Sequence, residues 1–350
     1  MIAVSDELAH WLLDADPALR WQVERDVVGA PETTWRATRS RVASEGWGAA
    51  LLARQDPEGT WARGAHYPGE GWRVPADLEG ERGEDAQPWV STDWSLAALQ
   101  DWGLDPRVLG DTADRIAANC RWEYEDLPYW GGETDVCINA LTLRAGAWLG
   151  VDVSALAAWF VEHQLEDGGW NCEWVEGSER SSFHSTINAV AALLDYERIT
   201  GDTALRAARW RGEEYLLARR LLHRLSDGAP VGSFATRFVF PFRWEYSALR
   251  ALDRFRAAAQ HDGLPPDPRL AEAVDVVRAA RRPDGRWIQE ARDPGLVWFH
   301  IDAPAGEPSR WLTLIGTRAL DWWDASAGGA RPIHKHAALE SETYGRPSQL

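Results

Sequence analysis

The 350-residue chain contains three cysteines, and two of them stand where metal or thiol chemistry would need them. Asp135-Val-Cys137 opens a predicted helix, Cys172 follows in a Gly-rich loop, and His184 opens the next inward helix. Residues two apart point different ways in a regular helix, but at a first turn the preceding residue can bend back. Carboxylate, two thiolates and imidazole then converge on one point. Zn2+ is the expected occupant, since a borderline-soft ion suits that mixture, and helix N-termini favour the anionic ligands. Four protein ligands would saturate the ion and make the site structural. Asp135, Cys137 and His184 alone would leave a position that activates water or a thiol, with Cys172 as nucleophile or spectator. The plain alternative is a small buried hydrophobe at Cys137, an idle loop thiol at Cys172 and a capping histidine at His184.

Other chemistry-bearing residues fall at comparable helix starts. Asp93 and Glu245 become general acids if buried, because desolvation raises a carboxyl pKa; exposed, they merely favour a helix dipole. His300 lies in Trp298-Phe-His-Ile-Asp302, and Arg310 precedes Trp311 at the last helix. Asp93, Glu245, His300 and Arg310 are therefore the candidate catalytic set. Arg237 and Arg243, in the aromatic run Phe234–Arg243, are placed to hold a carboxylate or phosphate.

The elements that must position these groups are helices. Apolar periodicity predicts Ser5–Leu13, Pro17–Val28, Trp35–Arg54, Ser91–Trp102, Pro106–Asn119 and Asp135–Leu149. It continues with Val153–His163, His184–Ile199, Thr203–Leu222, Phe242–Ala259, Pro268–Ala280 and Pro308–Trp323. Residues 1–33 make the first hairpin of a single domain over 1–324, and 325–350 read as an irregular tail. The stretch 56–87 is rich in Gly, Pro and charge and has no helical period. Its length predicts a lid or wall at a cavity mouth, with Gly64, Gly69 and Gly71 as flexible points.

One turn recurs between these helices. Gln55-Asp-Pro-Glu-Gly-Thr-Trp61 returns as Gln164-Leu-Glu-Asp-Gly-Gly-Trp170, and more weakly as Arg281-Arg-Pro-Asp-Gly-Arg-Trp287. Asp227-Gly228 ends a worn copy, and the spacing is a hairpin period near 55 residues. Each Trp should cover a helix end whose carbonyls lack partners.

The Gln-x-x-x-Gly-x-Trp turns resemble the QW motifs of squalene and hopene cyclases, which share an α/α toroid with the β subunits of protein prenyltransferases. The resemblance covers about residues 34–323. It implies an all-α fold, an (α/α)6 toroid of hairpins with inner-helix starts at one rim. The cyclases' Asp-x-Asp-Asp acid is absent, and the nearest string is Asp111-Thr-Ala-Asp114. Asp135-Val-Cys137 and His184 instead resemble the places where prenyltransferases hold zinc.

Composition bounds the function. Formal charge is -17 and no basic cluster interrupts it, so a nucleic-acid partner is not expected. No apolar run approaches a membrane span, the acidic N-terminus does not read as a signal peptide, and three cysteines suit a reducing compartment. A soluble cytoplasmic protein with no obligate protein partner is the expectation. Twenty-two Trp point to a cavity for a small, largely apolar molecule. The resemblance implies a transferase or lyase on an isoprenoid-like substrate; metal-bound water would make a hydrolase. The competing class is a non-enzymatic isoprenoid or lipid carrier with a structural metal.

Overall fold

A computed structural model describes residues 5–80 and 86–326. It is mostly helical, with thirteen α-helices and four two-residue strands among the described residues. The first hairpin is α1 (Asp6–Leu13) and α2 (Pro17–Asp26). Ser5 Oγ accepts from Leu8 N and Asp16 Oδ1 from Ala18 N, so side chains satisfy amides that the first turns leave over. Pro17 takes the first helical position of α2, where a missing N–H costs nothing.

The helix expected over 35–54 is two helices, α3 (Glu32–Ser40) and α4 (Gly46–Leu52), separated by a short 3-10 turn. Gly46 explains the break. Its φ is +60°, and an added Cβ would lie 1.8 Å from Asp16 Oδ2. Asp16 occupies that space because it also accepts from Trp47 N at 2.8 Å, so one carboxylate caps two helices.

The chain continues through α5 (Thr92–Asp101), α6 (Thr112–Asn119), α7 (Val136–Leu149), α8 (Ser154–Glu162) and α9 (Phe183–Thr200). It ends with α10 (Arg206–Ala218), α11 (Ala248–Asp262), α12 (Ala271–Ala279) and α13 (Arg310–Ser326). The helix expected from Phe242 starts only at Ala248, capped by Ser247, because Arg243 is held at φ +49°. Helix α13 runs through Ser326, so the expected tail begins later, and its remainder lies outside the described residues.

Burial separates two kinds of helix. Helix α9 buries side chains on all sides, whereas α8 buries only Leu156, Ala157 and Phe160. A helix buried all round belongs inside. Helix α5 packs on α7, α7 on α9, α9 on α11, α11 on α13, and α13 on α2. Helix α2 in turn reaches the end of α5, where Trp21 Nε1 donates to Trp102 O at 2.8 Å and Gln22 Nε2 to Asp101 O at 3.1 Å. Helices α8, α10 and α12 pack outside α7, α9 and α11.

The repeated turns have one geometry. Trp61, Trp170 and Trp287 are fully buried. Their Nε1 atoms donate to Leu51 O, Phe160 O and Val277 O at 2.8, 2.8 and 3.0 Å, each ten residues back near the end of the preceding outer helix. Their backbone N–H groups donate to Thr92, Thr186 and Thr313 Oγ1, each at 3.1 Å, on the next inner helix. Gln55 and Gln164 close the turns on Gly59 O and Gly168 O. The module locks an outer helix, a turn and an inner helix together.

The 56–87 excursion is pinned across the rim. Strand β1 (Glu79–Gly80) pairs antiparallel with β3 (Leu296–Val297), and Trp72 meets Trp298 edge to face. Strand β2 (Trp287–Ile288) pairs likewise with β4 (Pro308–Ser309). Gly64 and Gly69 are not the expected flexible points. A Cβ on them would fall 1.8 Å from Tyr67 O and 2.1 Å from Arg63 O, so glycine serves close packing there.

Candidate functional site

Two adjoining compartments open among the inner helices, sharing Trp94 and Leu141. The larger, of about 360 Å3, is lined by Asp135, Cys137, Cys172 and His184, with His66 and Gln87 from the long excursion. The smaller, of about 120 Å3, is walled by Trp89, Trp298, Phe240 and Phe299, with Arg243 and Arg250 among its lining cations. The four residues read as metal ligands thus face one compartment, and part of the excursion is its wall.

Cys137 sits in the first turn of α7 and Cys172 opens a 3-10 turn, with their sulfurs 3.4 Å apart. Trp174 Nε1 donates to Thr134 O at 2.9 Å and ties that turn to the start of α7. Asn188 Nδ2 donates to His184 O at 2.8 Å and Trp244 O at 2.9 Å and lies 3.3 Å from Cys137 Sγ, and Ser185 Oγ lies 3.3 Å from Cys172 Sγ. The Cys172 S–H donates to Cys137; this bond holds the Cys137 pKa down and, together with burial, pushes that of Cys172 up.

His184 is committed elsewhere. Its Nδ1 accepts from Tyr246 N at 2.9 Å, and burial lowers its pKa. A neutral ring with Nδ1 accepting carries its proton on Nε2, which leaves no lone pair for a metal. The two sulfurs approach the separation of roughly 3.8 Å that two thiolates span around tetrahedral zinc. The imidazole does not complete the set, and the quartet as placed does not fit zinc. Among the described residues, the group with three potential donor atoms within 4.8 Å of one another is Glu197, His261 and Asp262. Arg209 already binds both of those carboxylates, at 3.2 and 2.7 Å, so a cation there would compete with a fixed guanidinium.

Asp93 is buried as the acid reading required, but it has a partner that reading lacked. His66 Nδ1 lies 2.6 Å from Asp93 Oδ2, and Trp94 N donates to Asp93 Oδ1. Burial opposes a charge on His66, yet the charge and hydrogen bond of Asp93 outweigh it and raise the His66 pKa. His66 is placed by its own loop, because Glu123 accepts from the backbone N–H groups of Ala65, His66 and Tyr67 at 3.0–3.2 Å. The sequence signal for it was a histidine inside the stretch expected to wall the mouth.

The other three candidates line neither compartment. Glu245 is paired with Arg237 at 2.9 Å, which also removes Arg237 as an anion holder. His300 is exposed and sits over Glu79 of strand β1. Arg310 Nε donates to Trp11 O at 3.0 Å, and its guanidinium lies 4.9 Å from the Trp11 ring, so it clamps α13 to α1.

Arg243 and Arg250 line the aromatic compartment without a carboxylate within 4 Å among the described residues. Arg243 stacks over Trp89 at 4.7 Å, and its Nε has no hydrogen-bond partner among the described residues. Its φ of +49° is a conformation a non-glycine residue adopts only at a cost of about 1–2 kcal/mol. Arg250 donates to two neutral acceptors, Glu245 O and Asn188 Oδ1, both at 2.6 Å. Burial pushes the two guanidinium pKa values down, to about 10 and about 9.

No protein-family model matches the chain, and no curated protein matches it.

Proposed function

We propose that this protein is an (α/α)6 toroid whose central cavity takes up a small, largely apolar molecule with an anionic end, and acts on it with His66 as the proton-transfer group. Support for the ring is the succession of inner-helix contacts, α5 to α7, α9, α11, α13 and α2, whose last member meets the end of α5. The recurring Trp turns and their resemblance to QW motifs point the same way.

The observation that carries the ligand class is the pair Arg243 and Arg250. Asp293 and Asp93 act on Arg243, and Asp101 on Arg250, only through space, and a buried charge with no counter-charge in contact is costly, so such guanidiniums suit an anion that arrives with the ligand. Trp89, Trp298, Phe240 and Phe299 supply the apolar wall beside them. At the mouth, buried Asp93 orients the His66 ring and stabilises its charged form, the arrangement a general base needs. That supports a lyase or a hydrolase; a transferase rests on the resemblance alone. Zinc plays no part in this reading, because His184 offers it no lone pair.

Tryptophan fluorescence titration with geranyl monophosphate, decanoate and geraniol tests the binding. Both anions should bind at least about tenfold more tightly than the alcohol, and Arg243→Gln should abolish the difference. Equal affinity for geraniol, or no binding of any of the three, would overturn the assignment. Chromatography of the incubated ligands then separates enzyme from carrier. Product that disappears in His66→Asn supports the enzyme, and tight binding with ligand recovered intact supports the carrier.

A further inference from the structure

We propose that Cys137 and Cys172 form a redox-active dithiol, oxidised to a disulfide at the cavity mouth by a small hydroperoxide. The inference rests on the thiol pair and not on the ligand of the aromatic compartment. The sulfurs are already in contact at 3.4 Å, against roughly 2.05 Å for a disulfide bond. The remaining approach falls on a short turn, since Cys172 opens a five-residue 3-10 segment while Cys137 is fixed in α7. Trp174 ties that turn to the start of α7, so the approach is pre-organised.

Cys137 has the environment of an attacking sulfur. Asn188 Nδ2, which donates to His184 O and Trp244 O, lies 3.3 Å from its sulfur, and Asn188 Oδ1 accepts from Arg250, so the positive end of an amide polarised by a buried cation faces the thiol. Cys172 is placed as the resolving partner, with Ser185 Oγ at 3.3 Å from its sulfur. Both thiols line the open compartment and are only partly buried, whereas Cys120 is 3% exposed and lines neither compartment.

The steps balance. The Cys137 thiolate attacks the terminal oxygen of the hydroperoxide; the O–O bond breaks, the alkoxide leaves as an alcohol, and Cys137 becomes a sulfenic acid. Cys172 attacks that sulfur, the S–O bond breaks, and water leaves with the proton from Cys172. Two thiols and one hydroperoxide thus give a disulfide, an alcohol and water.

Treatment of the full-length protein with tert-butyl hydroperoxide, followed by alkylation and non-reducing peptide mapping, tests this. The expected result is a Cys137–Cys172 disulfide formed at least about tenfold faster than free cysteine is oxidised, and reversed by dithiothreitol. Cys120 should remain alkylatable after unfolding. In Cys172→Ser, dimedone should trap a sulfenic acid on Cys137. Asn188→Ala, with its helicity checked by circular dichroism, should slow oxidation at least about tenfold. First oxidation at Cys120, oxidation without the 137–172 linkage, or thiols that react only after a chelator strips bound zinc would each overturn the proposal.

Discussion

Replacing Trp170 with phenylalanine isolates what the repeated turn contributes. Trp170 is fully buried, and its indole N–H donates to Phe160 O at 2.8 Å. That carbonyl lies in the last turn of α8, beyond reach of a helical N–H. Phenylalanine keeps one ring but leaves the carbonyl buried and unpaired, which costs about 1–3 kcal/mol. The missing second ring leaves a small void worth about 1 kcal/mol more. The sum is about 3 kcal/mol, or roughly 6 °C in Tm for a chain of this size. Urea and thermal unfolding followed by helical dichroism would measure it. Trp244→Phe, at an exposed ring, should change stability by less than about 0.5 kcal/mol. Trp61→Phe and Trp287→Phe, in the same geometry, should fall within about 1 kcal/mol of Trp170→Phe. A loss below about 1 kcal/mol at Trp170 would refute the claim that these turns lock successive hairpins.

Two further predictions concern the mouth. His66 has its pKa raised by Asp93 against the effect of burial, so the stability this pair contributes is fully present below the unfolded value of about 6.5 and is lost as pH rises through the folded pKa. In Asp93→Asn burial is opposed only by the weaker charges of Glu123 and Glu133, so an NMR titration should find the His66 pKa lower than in wild type; a value unchanged from wild type would show that Asp93 does not set it. Glu123→Ala removes the acceptor of three consecutive amides, and hydrogen exchange at Ala65, His66 and Tyr67 should accelerate at least about tenfold while the helices stay protected. Unchanged protection at those amides would assign their ordering to the Gly64 and Gly69 packing instead.

Helices and repeat turns were legible because both follow local rules. Periodicity gave most helices, and the Gln-to-Trp spacing marked turns whose hydrogen bonds proved the same from copy to copy. The break at Gly46 was hidden because it depends on Asp16, thirty residues away, filling the space beside the glycine. The late start of α11 was hidden because Arg243 is held left-handed inside an aromatic run. Convergence of Asp135, Cys137 and His184 on one compartment followed from their being at successive inner-helix starts, with Cys172 in the loop that leads into the second of them. Which lone pair His184 keeps does not follow from spacing, since its Nδ1 partner is a backbone N–H 62 residues onward. Exposure sorted the catalytic set. Asp93 kept a site role through a loop histidine, while Glu245, His300 and Arg310 bind neighbours at the surface or across helix ends.

The remaining guanidiniums sharpen the reading of Arg243 and Arg250. Three other arginines, buried or nearly so, each bridge inner helices through carboxylates. Arg144 on α7 binds Asp101 and Asp195, of α5 and α9. Arg318 on α13 binds Asp26 and Asp253, of α2 and α11. Arg209, on outer helix α10, binds Glu197 and Asp262, of α9 and α11, with Glu213 of its own helix. Each of these cations sits among two or three carboxylates, so its charge is met within the protein and its work is to fix neighbouring helices. A chain with 54 acidic residues against 37 basic ones has carboxylates to spare for such pairing. Arg243 and Arg250 nevertheless face the aromatic compartment, one over a Trp ring and the other on neutral oxygens. A carboxylate from the protein placed beside them would satisfy the charge and close the compartment to anions. Asp101, which also lines the compartment, is already bound by Arg144, so the neutral contacts of Arg243 and Arg250 leave their field directed into the cavity, where the proposed anionic ligand would gain from it.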